Sequence, residues 1–154
     1  MAIRNIITKG DETLKKRCKE VKEIDQKIMD ILDDMKETMY HQGNGVGLAA
    51  SQVGILKRIV VIDVGEGLLE LINPVIIERE GEQIEIEGCL SIPGVFGKVK
   101  RPARVVVEYL NRKGQTVRTE GTGLLAVCIS HELDHLDGIL FDEKVFEFVD
   151  IEKE

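Results

Sequence analysis

The sequence is poor in the features that staple small secreted folds, anchor a chain in a membrane or grip nucleic acid. It has three cysteines in 154 residues, an odd number that makes no disulfide framework. In a reducing compartment such cysteines are buried, metal-bound or catalytic. No apolar run approaches the length of about 18 residues that a membrane helix needs, and no charged-then-apolar signal opens the chain. A cytoplasmic protein without a membrane partner is therefore expected. There is no basic surplus either: 21 Lys and Arg stand against 28 Asp and Glu, a net charge of -7. That balance argues against a nucleic-acid platform. The two short basic runs, Lys15-Lys16-Arg17 and Lys98 to Arg101, read as solvated faces. Repeats, low-complexity tracts and Pro/Ser-rich linkers are absent, so one domain over residues 1–154 is expected. What the chain does have is 43% apolar residues, with Leu, Ile and Val dominant. A chain of this size buries roughly 70% of its unfolded surface, enough for a core without staples.

Periodicity predicts an N-terminal helix from about Asp25 to His41. Ile24, Ile28, Ile31, Leu32, Met35 and Met39 form one stripe, and Gly43 to Gly47 end it in a loop. Gly10 to Lys16 reads as a helical turn or two. Arg58 to Asp63 is a continuous apolar run suited to a buried strand. Leu69 to Arg79 has strand composition, with Pro74 marking an edge, a bulge or a start. Glu82 to Glu87 alternates and is expected to pair back across Glu80-Gly81. Ala103 to Leu110 and Gln115 to Thr119 read as a hairpin, and Gly123 to Leu136 as a second helix stopped by Gly138. The order points to an α+β fold with mostly antiparallel pairing.

That second helix carries His131-Glu132-Leu133-Asp134-His135, an H-E-x-x-H pattern. Residues four apart share a helix face about 6 Å apart, so both imidazoles reach one metal ion. Glu132, turned by about 100° from His131, sits beside the ion, where it can take a proton from water. A polar helix end facing solvent is the bland alternative. Cys128 lies on the same face but seven residues from His135, about 10.5 Å along the axis. Ligand atoms on one ion are only about 3 to 4 Å apart, so Cys128 cannot join both histidines and reads as core or pocket wall. Asp137, Asp142, Glu143 and Glu147 stay open as a third ligand, which would suit a zinc metallopeptidase; a fourth protein ligand would instead close a non-catalytic site. Cys89, in the glycine-bounded turn EGCLSIPG, is a further candidate.

Three blocks stand in order: GVGLAASQ from Gly45 to Gln52, EGCLSIPG from Glu87 to Gly94, and HELDH from His131 to His135. Together they closely resemble the peptide deformylase family, and the resemblance runs from Asp11 to Phe141. It implies removal of the formyl group from the N-terminal methionine of newly made polypeptides. It implies small mixed, mostly antiparallel sheets around a central HExxH helix. It also implies metal ligation by Cys89, His131 and His135, general acid–base work by Glu132, and an oxyanion held by Gln52 and the backbone N–H of Leu90. One divalent ion per chain is implied, Fe(II) in the cell, with Zn(II), Ni(II) or Co(II) in purified protein. For the substrate, Val46, Leu124, Val127 and Cys128 are candidates for an apolar slot around the methionine side chain. Gly45, Val46, Gly47 and Gly88 are candidates for backbone pairing with an extended peptide. Glu87 is placed to pair with Arg101 and brace the Cys89 loop. The chain departs from many members at Ser130, where they carry Gln, and at Phe96, where they carry Arg. The ribosome is a partner of the family through a long basic C-terminal helix, but here the end is short and acidic, which argues against that route.

Overall fold

The computed structural model describes residues 2–43 and 46–150. Gly45, expected to pair with substrate, and the end of the acidic tail, residues 151–154, lie outside the described residues. Helix α1 spans Gln26–His41, and Asp25 caps it by accepting from the Ile28 N–H at 3.0 Å. Strands β1 (Gly47–Ala49), β2 (Ile59–Ile62), β3 (Leu69–Glu80), β6 (Arg104–Leu110) and β7 (Thr116–Thr122) form a five-stranded sheet in the order β1-β2-β3-β6-β7. Strands β4 (Gln83–Cys89), β5 (Ile92–Arg101) and β8 (Val145–Val149) form a second sheet in the order β4-β5-β8. Helix α2 spans Gly123–Leu136. All pairs of these strands are antiparallel, and one isolated parallel bridge joins Lys19 to Lys57. The α+β expectation holds.

The five-stranded sheet is covered on both faces, which explains why β2 reads as an unbroken apolar run. Ile59 and Val61 pack with Leu32, Met35 and Met39 of α1. Val60 and Ile62 pack with Ala126, Ile129 and Leu136 of α2. A strand buried on both sides needs no alternation. Helix α2 is itself buried along most of its length, and Leu133, between its motif positions, is core.

Pro74 sits in a bulge, one of its three expected settings. The β3–β6 register shifts between Ile72 and Val75, where Pro74 has no N–H to lose. Asn73 beside it adopts φ 52, and its side chain accepts from Val21 N–H (2.8 Å) and donates to the Val21 carbonyl (2.9 Å). Asparagine tolerates this left-handed geometry better than most residues.

Three strands depart from the sequence expectation. The Gly43–Gly47 loop gives way to strand β1 at Gly47 itself. β5 starts at Ile92 and takes in Pro93 and Gly94, where proline and glycine signal a turn; pairing with β4 and, from Phe96 to Val99, with β8 holds it. β8 covers part of the tail and fits only because Gly97 leaves room: a Cβ there would meet Val145 at 2.4 Å. The expected return of the 82–87 segment onto β3 does not occur. The end of β3 pairs with β6 instead, and β4 crosses into the second sheet and pairs with β5.

Candidate functional site

The site lies where α2 meets the end of β4. His131, Glu132 and His135 are all buried, His135 completely. Cys89 closes β4 just past a register shift and pairs with Ile92 across the tight turn. One ligand atom each from Cys89, His131 and His135 lies within 4.8 Å of the others. Cys89 Sγ is 3.3 Å from His135 Nε2. Among the described residues this is the one such group, so the acidic alternatives for a third ligand fall away. They are engaged elsewhere: Asp137 with Arg58, Asp142 with Lys9, Glu147 with Lys98, and Glu143 with the Leu140 N–H. Cys128 lines the adjacent cavity, where burial pushes its thiol up to about 12 and keeps it protonated.

A chain of charges orients this group. His131 Nδ1 lies 2.9 Å from Glu87 Oε1, which leaves Nε2 for an ion. Glu87 takes both Arg101 Nε (2.8 Å) and a terminal Arg101 nitrogen (2.9 Å). Arg101 also donates to Asp134 at 2.7 Å, and Lys144 reaches Asp134 at 2.9 Å. Burial works against the Glu87 carboxylate, yet its bonds to Arg101 and His131 outweigh burial and hold it at about 2. Burial, then the positive charges of His131 and Arg101, keeps His135 neutral, the form that ligates. At His131 burial opposes the imidazolium, but the Cys89 and Glu87 contacts raise its affinity for a proton, which a cation on Nε2 would replace. The expected Glu87–Arg101 brace is thus present. Asp134 and Lys144 extend it and went unnoticed in the sequence, although Asp134 stands inside the motif.

The donor set suits a borderline or soft divalent ion: one thiolate and two imidazoles, three ligands with a position left over. Glu132 Oε1 is buried with no hydrogen-bond partner among the described residues. Its other oxygen lies against β1, where a Cβ on Gly47 would meet Oε2 at 2.7 Å. An orphaned carboxylate beside three convergent ligands fits a further polar guest. Burial is the main cause that brings Glu132 up to about 7, in the range of a working acid–base group.

Gln52, almost fully buried, accepts from the Ala49 N–H at 3.0 Å and donates to Ser91 Oγ at 3.1 Å. Its Nε2 is also 3.6 Å from Cys89 Sγ. A cavity of about 530 Å³ opens over Gln52, Cys89, His131 and Glu132. Val46, Gly47, Gly88 and Leu90 line it, as do Leu124, Val127 and Cys128 of α2. Every expected site residue among those described therefore borders the cavity, except His135 behind it. Ile86, Ile92 and Phe96 complete the apolar wall and were not among the expected slot residues. The Phe96 ring lies over Gly88, whose Cβ would meet it at 2.6 Å.

Comparison with known proteins agrees with the motif blocks. The family model described as polypeptide deformylase matches residues 3–148. A peptide deformylase of Acetivibrio thermocellus is 67% identical over 150 residues, covering 97% of this chain and 88% of its own length. One from Caldanaerobacter subterraneus is 61% identical over 153 residues, covering 99% and 96%. Among solved structures, the peptide deformylase of Thermotoga maritima superposes with a TM-score of 0.91 at 41% identity, covering 94% of this chain and 99% of that one. The enzyme of Ehrlichia chaffeensis, solved with actinonin, superposes with a TM-score of 0.91 at 40% identity, covering 94% and 90%.

Proposed function

The chain belongs to the polypeptide deformylase family, and from that premise we propose how its own residues carry the reaction. It is a metal-dependent hydrolase that removes the formyl group from N-terminal formyl-methionine of nascent peptides, releasing formate. Cys89, His131 and His135 hold the ion. When bound, a divalent ion supplies Lewis acidity that polarises a carbonyl and makes water a better nucleophile near neutral pH. The observation that carries this reading is the convergence of one cysteine and two histidines within 4.8 Å, beneath a cavity and beside a Glu132 oxygen with no hydrogen-bond partner among the described residues.

The formyl C–N bond breaks and a C–O bond to water forms. Glu132 takes the proton from the attacking water and delivers it to the leaving amine, a task suited to a carboxylate of raised pKa. Gln52 Nε2 and the Leu90 N–H bind the formyl oxygen as its charge grows. The methionine side chain occupies the slot bounded by Val46, Leu124, Val127 and Cys128. The peptide beyond it lies extended along β1, an outer strand of its sheet, bonding to Gly45, Val46 and Gly47 on one side and Gly88 on the other. Actinonin is expected to occupy the same cavity, as it is bound in the Ehrlichia chaffeensis relative.

Iron(II) is the proposed ion in the cell, with Zn(II), Ni(II) or Co(II) as substitutes in purified protein; a thiolate in the donor set favours a softer centre. Residues 1–154 act as one deformylase domain in the cytoplasm, and no described helix is long and apolar enough to cross a membrane. Formate release from a formyl-Met peptide, measured with Fe(II)- or Ni(II)-loaded protein under exclusion of air, tests the whole reading. Robust release is expected, and fully metallated protein without release refutes it.

A further inference from the structure

We propose that Ser91 is a positioning residue whose hydroxyl aims the Gln52 amide into the site. The proposal rests on the reading of Gln52 as an oxyanion donor.

The orientation of a glutamine amide is fixed by what its two ends meet. The Ala49 N–H can only donate, so the atom 3.0 Å from it is the Gln52 oxygen. The NH₂ end must then face Ser91 Oγ at 3.1 Å and Cys89 Sγ at 3.6 Å. An NH₂ group has two hydrogens. With one committed to Ser91, the other is confined to the side of Cys89 and the cavity, where a growing negative charge would lie. Without the hydroxyl, the amide keeps its anchor at Ala49 but loses the contact that fixes its rotation.

The spacing between Gln52 and Ser91 is itself held by a third segment. Ile7 N–H donates to the Gln52 carbonyl at 2.7 Å, and Lys9 N–H donates to the Ser91 carbonyl at 2.8 Å. Two residues nearly forty positions apart are thereby splinted on the same short stretch. Ser91 is completely buried and Gln52 nearly so, so water does not compete for the contact. A preorganised donor stabilises charge without reorganising as charge develops, and that is the benefit Ser91 confers.

Kinetics and NMR test this together. Ser91→Ala should lower kcat about tenfold, the effect of losing one modest hydrogen bond, with KM unchanged. Gln52→Ala should cost about a hundredfold or more, as loss of one oxyanion donor does. In the double variant the two losses should not multiply, because Ser91 acts only through Gln52. In Zn(II)-loaded wild type, the Gln52 side-chain amide should give two resolved proton signals that exchange slowly with water. Ser91→Ala should speed that exchange while melting temperature and zinc content hold. A Gln52→Ala variant at wild-type kcat would remove the oxyanion reading on which this stands. With Gln52→Ala impaired, wild-type kcat in Ser91→Ala, multiplicative losses, or a freely exchanging Gln52 amide in the wild type each overturns the role of Ser91 alone.

Discussion

At the residue scale the centre depends on side chains that burial has made unlike their free forms. Glu132 is the sharpest case, a buried carboxyl raised to about 7, with one oxygen unpartnered among the described residues and the other against Gly47. Glu132→Gln keeps the shape, removes the proposed proton carrier and replaces no proposed ligand. Turnover should fall by roughly 10² to 10⁴ while bound metal stays at one ion per chain. Metal analysis beside single-turnover kinetics checks this, and a near-normal rate would take Glu132 out of its role. The identities of these residues were legible in the sequence because helical rise separates Cys128 from the histidine pair and the motif blocks point to Cys89. Their partners were less legible. Nothing in EGCLSIPG says that the serine meets a glutamine nearly forty residues upstream, since that contact depends on how the N-terminal segment splints both turns.

At the element scale, Arg101 of β5 ties β4 to α2 by holding Glu87 and Asp134 at once. All three groups are largely withdrawn from solvent. Removing the cation leaves two carboxylates facing each other with less to neutralise them. Arg101→Met should therefore cost roughly 3–5 kcal/mol of stability, the penalty of a broken buried pair. It should also weaken metal binding about tenfold to a hundredfold through the loosened His131 ring. Denaturant midpoints and metal titration measure the two effects, and an unchanged midpoint would contradict the buried-pair account. The helices and most strands were readable because their patterns match their burial. Strands β1, β5 and β8 were not, because they exist through pairing rather than propensity: β5 carries Pro93, Gly94 and Gly97, and β8 leaves three of its five residues exposed. The partner of β4 was equally hidden, since only the sheet order shows that β4 leaves β3 and joins β5.

At the scale of the whole molecule, the proposed ligands come from two separately built parts. His131 and His135 belong to a helix packed on the five-stranded sheet, while Cys89 ends a strand of the three-stranded one. An ion bound only by the folded chain stabilises it by mass action. Chelation should therefore lower the melting temperature by several degrees, since about 1 kcal/mol moves a domain of this size by roughly 2–4 °C. Amide exchange should rise more in β4 and β5 than in β2 and β3, whose core is complete without the ion. Uniform exchange across both sheets after chelation would show that the ion adds no local tie.

The position of Cys89 has one more consequence. As a proposed ligand, its single sulfur would both tune the centre and tie the two sheets together. Oxidation of that sulfur beyond the thiolate would end the proposed ligation, so one chemical lesion would silence the enzyme and loosen its architecture together. A cell that clears loosened proteins by proteolysis would then remove the spent copies without any sensor of activity: the damage writes its own address label.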